Sequence, residues 1–510
     1  MPVFDRPLRH TLRLAAAAAL SLACLSAQQV GAAPLPSSAP AGTAATDRAD
    51  RADGADGADG ATLSPEQLAE RVRGRDVTRH LRAFQRIADA SGGNRGYNQP
   101  GFTRSVRYVA GKLAAAGYQV ERQRVPYTDF AIAEERLSVR TRSGAGRHVP
   151  VLMTRFTPST SAAGLDARVV APPRGKTGCA VSDYDGVAAR GAVVVLARDA
   201  CGFGHQQQVA AQVGARAVVM YYPTPSPRNN YRLIGLPRGS FVLPMGMVSQ
   251  ADGERLVRQA ASRAGARVHL TLRGHDVRRT TVNLIAETRG GDPDDVVVMG
   301  GHLDSVPEAP GVDDNGSTAA TVLQTALELA PHQDRVRNKV RFMWWGAEEL
   351  IDVGSGYYVD HLSPAERGRI AAVLNAELLA PSNYGRFVWD PGTGGSHRIA
   401  ELFAGYFERH GLPYERQDPG AIGSDHLVFQ AAGIPVGGLD GGNLQVKTPE
   451  QQARFGGTAG QMFDPCYHQP CDRLKAIDRT ALDTNARALA WVLGELALKD
   501  GAVRGIRAAG

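Results

Sequence analysis

The segment VVVMGGHLDSVPEAPGVDDNGS, residues 296 to 317, sets His302, Asp304, Glu308, Asp313 and Asp314 behind an apolar run and two glycines, with no lysine or arginine among them. Gathering such acids in a partly dry site costs several kcal/mol unless something positive sits between them. A bound metal cation fits that need. Comparable groups follow other apolar runs: Glu348 and Glu349 after RFMWWGA, Glu377 at the end of AAVLNAE, and His468 within FDPCYHQPCD. A single catalytic zinc takes three protein ligands and keeps one open position. Two histidines and three carboxylates exceed that and suit two ions roughly 3.5 to 4 Å apart that share a bridging carboxylate. The spare acid of the Glu348–Glu349 pair can then act as a base. Asp313 reads as loop charge.

These clusters imply elements that bring them together. After Arg279 the chain alternates strand-like runs (TVNLIAET, DVVVMGG, KVRFMWWG, IAAVLNAEL, GIPVGGL) with helical ones, including a helix capped near Ser317 and a closing helix near ALDTNARALAWVLGELAL. That alternation predicts an α/β domain with a mostly parallel central sheet flanked by helices, whose site lies beyond the carboxyl ends of its strands. Upstream, helical spacing runs from Leu63 to about Ala90 with Ser64 as N-cap and Pro65 in the first turn. A second helix, FTRSVRYVAGKLAAAG, leads into the strand-like YQVERQRVPY. Residues 135 to 275 have a different texture, with short β-like runs and glycine and proline punctuation, and read as a β-rich insert.

The chain begins with Arg9, His10 and Arg13 ahead of an alanine- and leucine-rich run ending in small residues, which predicts a secretory signal over 1–33 cut after Ala33. A lipid-attachment reading through Cys24 is the weaker alternative. Residues 34–61 are low-complexity leader, unable to bury enough apolar surface to fold. No later run is long and apolar enough to predict stable membrane insertion. The formal charge of +7 is scattered as single arginines, which argues against nucleic acid as a partner. With Cys24 removed, the remaining cysteines form two local pairs, Cys179 with Cys201 and Cys466 with Cys471, and an exported protein is expected to oxidise both. Thiolate ligation of zinc by Cys466 and Cys471 is the rival reading, disfavoured by export and by the lack of a second pair nearby.

Together GGHLDSVPEAPGVDDNGS, WWGAEELIDVGSGYYV, NAELLAPSN, GSDHLVFQAAGIPVGGL and FGGTAGQMFDPCYHQPCD resemble the secreted co-catalytic di-zinc aminopeptidases of the bacterial leucyl aminopeptidase and vacuolar aminopeptidase Y type. The likeness runs in order from about residue 62 to 498. The insert resembles a protease-associated domain, so residues 62–134 belong with 276–500, and 501–510 form a C-terminal tail.

The resemblance implies that His302 and Glu377 bind one zinc, Glu349 and His468 the other, and Asp314 both. It implies Asp304 as a carboxylate orienting His302, Glu348 as general base, and Tyr467 as hydrogen-bond donor to the oxyanion. Two departures stand out: Glu377 occupies a position where the family usually has aspartate, and Gly423 one where an arginine often precedes SDH. The expected substrates are peptides with a free N-terminus, cleaved outside the cell or in a periplasm by a monomer. A calcium requirement is not legible. Rival activities are a carboxypeptidase of the same fold, a single-zinc glutaminyl cyclase, and a non-catalytic peptide-binding protein on the same scaffold.

Overall fold

The computed structural model describes residues 63–140, 146–199, 201–223, 239–262 and 265–509. The expected signal and leader lie outside them.

Four parallel strands form the centre, in the order Val436–Asp440, Ile370–Glu377, Asp292–His302 and Asn338–Trp345. Their sequences are nearly continuous apolar runs because helices cover both faces, and Ile370–Glu377 is buried at every position. Side chains alternate between those faces. Val297 and Met299 join Phe342 and Trp344 against the helices Gly74–Asp89, Gly316–Leu329 and Arg479–Leu498. Val296 and Val298 join Met343 and Trp345 against Tyr358 and Phe429. Gly301 lets the helix Gly316–Leu329 lie close on its strand, since a Cβ there would sit 2.5 Å from Thr318 Cγ2.

Antiparallel strands complete the sheet. Arg267–Glu287 pairs with Asn338–Trp345, and Val120–Arg140 pairs with Arg267–Glu287 along nearly its whole length. These two strands, 21 residues each, run from the four-stranded parallel centre into the insert. The expected junctions at 134/135 and 275/276 fall inside them, beside a bulge between Ile132 and Glu134. The insert continues the same sheet: Leu165–Val170 pairs with Arg267–Glu287, followed by Val193–Ala197, Ala217–Tyr221 and Met245–Met247 in parallel.

Three local expectations differ in detail. The first helix is two, Pro65–Arg71 and Gly74–Asp89, because Arg73 is extended and Gly74 lies against the closing helix, its N–H donating to Asp483 Oδ1 at 2.7 Å. Asn315, not Ser317, is the N-cap of Gly316–Leu329; Ser317 instead donates to the Asp313 carbonyl and accepts from Leu379 N–H. The terminal residues are not a loose tail, since Val503 and Ile506 are buried in the main core.

Candidate metal centre

Because the central strands are parallel, their carboxyl ends share one edge of the sheet. His302 ends one strand beside Trp345 of its neighbour, and Glu377 ends another beside Asp440. Asp314 comes from the loop before Gly316–Leu329, and Glu348 and Glu349 from a single turn just past Trp345. His468 arrives from the loop closed by the Cys466–Cys471 disulfide. Cys179 and Cys201 form the second disulfide, inside the insert.

The side chains converge. His302 Nε2 lies 3.4 Å from Asp314 Oδ1, 3.5 Å from Glu377 Oε1 and 3.6 Å from Glu348 Oε2. His468 Nε2 lies 3.0 Å from Asp314 Oδ2 and 3.0 Å from Glu349 Oε2. The two oxygens of Asp314 therefore face different histidines, each with a further carboxylate beside it. Ligand atoms of His302, Asp314 and Glu349 lie within 4.8 Å of one another, as do those of His302, Glu348 and Glu377. Glu349 Oε1 is buried without a hydrogen-bond partner. This donor set fits one or two borderline cations such as zinc.

The electrostatics describe a site built around positive charge. Burial alone would lower His468, but the facing Glu349 and Asp314 carboxylates outweigh it and push the imidazole up to about 10. His302 is likewise raised well above its usual value: burial opposes the shift, and Glu348 and Glu377 prevail. Burial also lifts Glu349 to about 7, although His468 pulls against it. Glu348 is raised well above the carboxylate range, first by burial, with Asp352, Glu377 and Asp425 adding to the effect. Asp314 alone goes down, its contacts with both histidines overcoming the cost of burial.

Asp304, expected to orient His302, and several groups that sequence reasoning passed over hold these side chains in place. Asp304 is completely buried, and its carboxylate accepts from the N–H groups of Glu348 and Glu349 at 3.3 Å. His302 Nδ1 instead meets the Asp304 carbonyl at 3.1 Å, while the Asp304 carboxylate stays 3.9 Å away. That contact leaves Nε2 for a metal. Asn283 clasps the Glu348–Glu349 loop at both ends, accepting from Gly346 N–H and donating to the Gly354 carbonyl. Within that loop Ala347, Ile351 and Asp352 all have positive φ, the kind of backbone strain that collects at functional sites. Asn315 and Ser424 both donate to Glu377 Oε1, at 2.8 and 2.5 Å.

Asp472, one residue past Cys471, accepts from the N–H groups of Asp313 and Asp314 at 2.7 and 3.1 Å, tying the disulfide loop to Asp314. Asp313 is not loop charge: it is buried and accepts from Ala380 N–H at 3.0 Å. Beneath these acids Arg95 is wholly buried, donating to the carbonyls of Leu303, Pro310 and Gly311. Burial lowers it only to about 10, so it stays charged opposite Asp472, Asp304, Asp314 and Glu349. Tyr467 stacks on the His468 ring at 3.9 Å.

A further acid–histidine group, Asp390, His397 and Glu401, is already neutralised, because Arg416 Nη1 lies 2.6 Å from both acids. The model of peptidase family M28 matches residues 283–493, and that of the PA domain matches 165–256. An aminopeptidase of Pseudomonas aeruginosa is 32% identical over 460 residues, covering 85% of this chain and 83% of that protein. The chain belongs to peptidase family M28. Within the family it is 35% identical to the probable lipoprotein aminopeptidase LpqL of Mycobacterium tuberculosis over 459 residues, 86% of this chain and 88% of that one. Its fold is that of the aminopeptidase from Aneurinibacillus sp. strain AM-1, with a TM-score of 0.66 at 22% identity over 85% of this chain and 96% of the other. The M28 match covers the strands and loops that carry His302 through His468, and the PA match lies wholly within the insert. Among the described residues, no helix of this M28 chain is long and apolar enough to cross a membrane.

Proposed function

We propose that this M28 chain is an exported aminopeptidase that releases N-terminal residues from peptides at a two-zinc centre. His302 and Glu377 would hold one ion, Glu349 and His468 the other, and Asp314 would serve both. The observation that carries the reading is the placement of Asp314, whose two oxygens face His302 at 3.4 Å and His468 at 3.0 Å. Bound zinc supplies Lewis acidity, which makes water acidic enough to attack near neutral pH and draws electron density from the scissile carbonyl.

The chain's own groups do the rest. Glu348, 3.6 Å from His302 Nε2, takes the proton from the attacking water and hands it to the departing amine. Tyr467 donates its hydroxyl to the oxygen that becomes negative. The buried acids near Glu348, Asp352 and Asp425 among them, would favour a substrate ammonium group and hence cutting from the N-terminus. The catalytic unit comprises residues 62–134 and 276–500, the insert 135–275, and residues 1–33 direct export of a monomeric enzyme.

The deciding experiment combines metal analysis of the purified chain with hydrolysis of leucine p-nitroanilide and of a peptide with a C-terminal glutamate. Two zinc ions per chain, and cleavage of the anilide that chelation abolishes and zinc restores, are expected. One ion, or release of the glutamate alone, overturns the proposal.

A further inference from the structure

The insert reaches the catalytic half at more than its connecting strands. A cavity of about 410 Å³ is lined from the catalytic half by Ile422, Gly423, Leu444 and Tyr467, with the amides Asn443 and Gln445, and from the insert by Tyr222. It adjoins the metal centre at two points. Tyr467 stacks on His468 at 3.9 Å, and Gly423 precedes Ser424, whose hydroxyl is 2.5 Å from Glu377 Oε1. Among the described residues no acidic or basic side chain lines the cavity, so it suits an uncharged group, with the two amides and the tyrosine hydroxyls offering polar contacts, and penalises a charged one.

Tyr222 is anchored rather than draped across the opening. It directly follows the strand Ala217–Tyr221, is 8% exposed, and packs with Phe241, Met245 and Met247 in the core of the insert. The guanidinium of Arg198 lies 5.7 Å from its ring centre. Gly423, by contrast, leaves room on the catalytic side, since a Cβ there would meet nothing nearer than Leu427 Cδ1 at 3.9 Å. A passive spacer has no need to place a fixed aromatic ring in a pocket beside the metal ligands.

We infer that Tyr222 is a specificity-determining residue of this peptidase: carried by the insert, it walls the pocket that receives the side chain of the N-terminal residue and limits its size. The inference rests on the aminopeptidase reading above. The ring is a hard boundary because its packing holds it, so shortening it deepens the pocket and enlarging it makes the pocket shallower.

The test uses the full-length, zinc-loaded enzyme and the p-nitroanilides of alanine, leucine, phenylalanine and tryptophan. Tyr222→Ala is expected to raise the ratio of kcat/KM for tryptophan over alanine at least fivefold, and Tyr222→Trp to lower it at least fivefold, with zinc content unchanged. If only one variant folds, its ratio decides. A ratio that moves less than fivefold, or a uniform loss across the panel, overturns the wall. A parent enzyme that cleaves none of the four anilides instead refutes the aminopeptidase reading.

Discussion

The two disulfides are expected to separate stability from activity. Their closed loops differ in size, with sequence separations of 22 for Cys179–Cys201 and 5 for Cys466–Cys471. Loop-closure entropy then assigns about 3 kcal/mol to the first and about 2 kcal/mol to the second. Replacing both cysteines of a pair by serine should therefore lower the melting temperature more for the insert pair. Activity should follow the opposite order. His468 sits between Cys466 and Cys471 with a φ of 58°, a conformation costing about 1–3 kcal/mol that persists only while its surroundings enforce it. Its Nε2 must stay within reach of Asp314 and Glu349, each now 3.0 Å away. Release of that backbone preference corresponds to about a five- to hundredfold loss of correctly placed imidazole. The assay is thermal unfolding of the metal-free proteins alongside zinc titration and kcat/KM on leucine p-nitroanilide. If Cys466→Ser/Cys471→Ser binds zinc and turns over within twofold of the parent, the small disulfide does not hold the ligand and the reasoning fails.

Further outcomes follow from the same geometry. Glu348→Gln should keep zinc while losing about 10²- to 10⁴-fold in kcat, read by metal analysis and steady-state kinetics, because it removes a base and no ligand. Metal-free protein should lose stability as pH rises from about 6 to 10, measured by chemical unfolding in chelator. His468, raised to about 10, and Glu349, raised to about 7, both bind more protons folded than unfolded. The contribution of His468 is full below about 6.5 and lost as pH rises to about 10, that of Glu349 is full only below about 4.5 and is gone once pH passes about 7, and bound zinc should flatten the curve. Arg95→Met should destabilise the protein by about 3–5 kcal/mol in denaturant titrations, since it leaves three buried carbonyls and several acids without their cation.

Strand ends were the legible part. Apolar runs followed by His302, Glu348–Glu349 and Glu377 point to one sheet edge because parallel strands all present their carboxyl ends there. The supporting groups were not legible, because their partners are remote in sequence. Arg95 serves carbonyls about two hundred residues away, and Asp472 receives the N–H of Asp313 across a separation of 159. Neither carries a local signature. Asp313 was misread because acids in a loop are usually solvated, and only the packed helix start and the Ala380 N–H show it as interior. The break at Arg73 was hidden by uninterrupted helical periodicity; it follows from the tertiary approach of Asp483.

The paired strands Val120–Arg140 and Arg267–Glu287 also bear on how such a chain could be remodelled. Ile132 and Gly274 face each other across the ladder, so excising everything between them leaves two ends already side by side. A tight reverse turn grafted at that point would leave the two strands still zipped together beside Asn338–Trp345. The ribbon joins the insert to the rest of the sheet through two strands paired along nearly their whole length, not through a single-stranded tether.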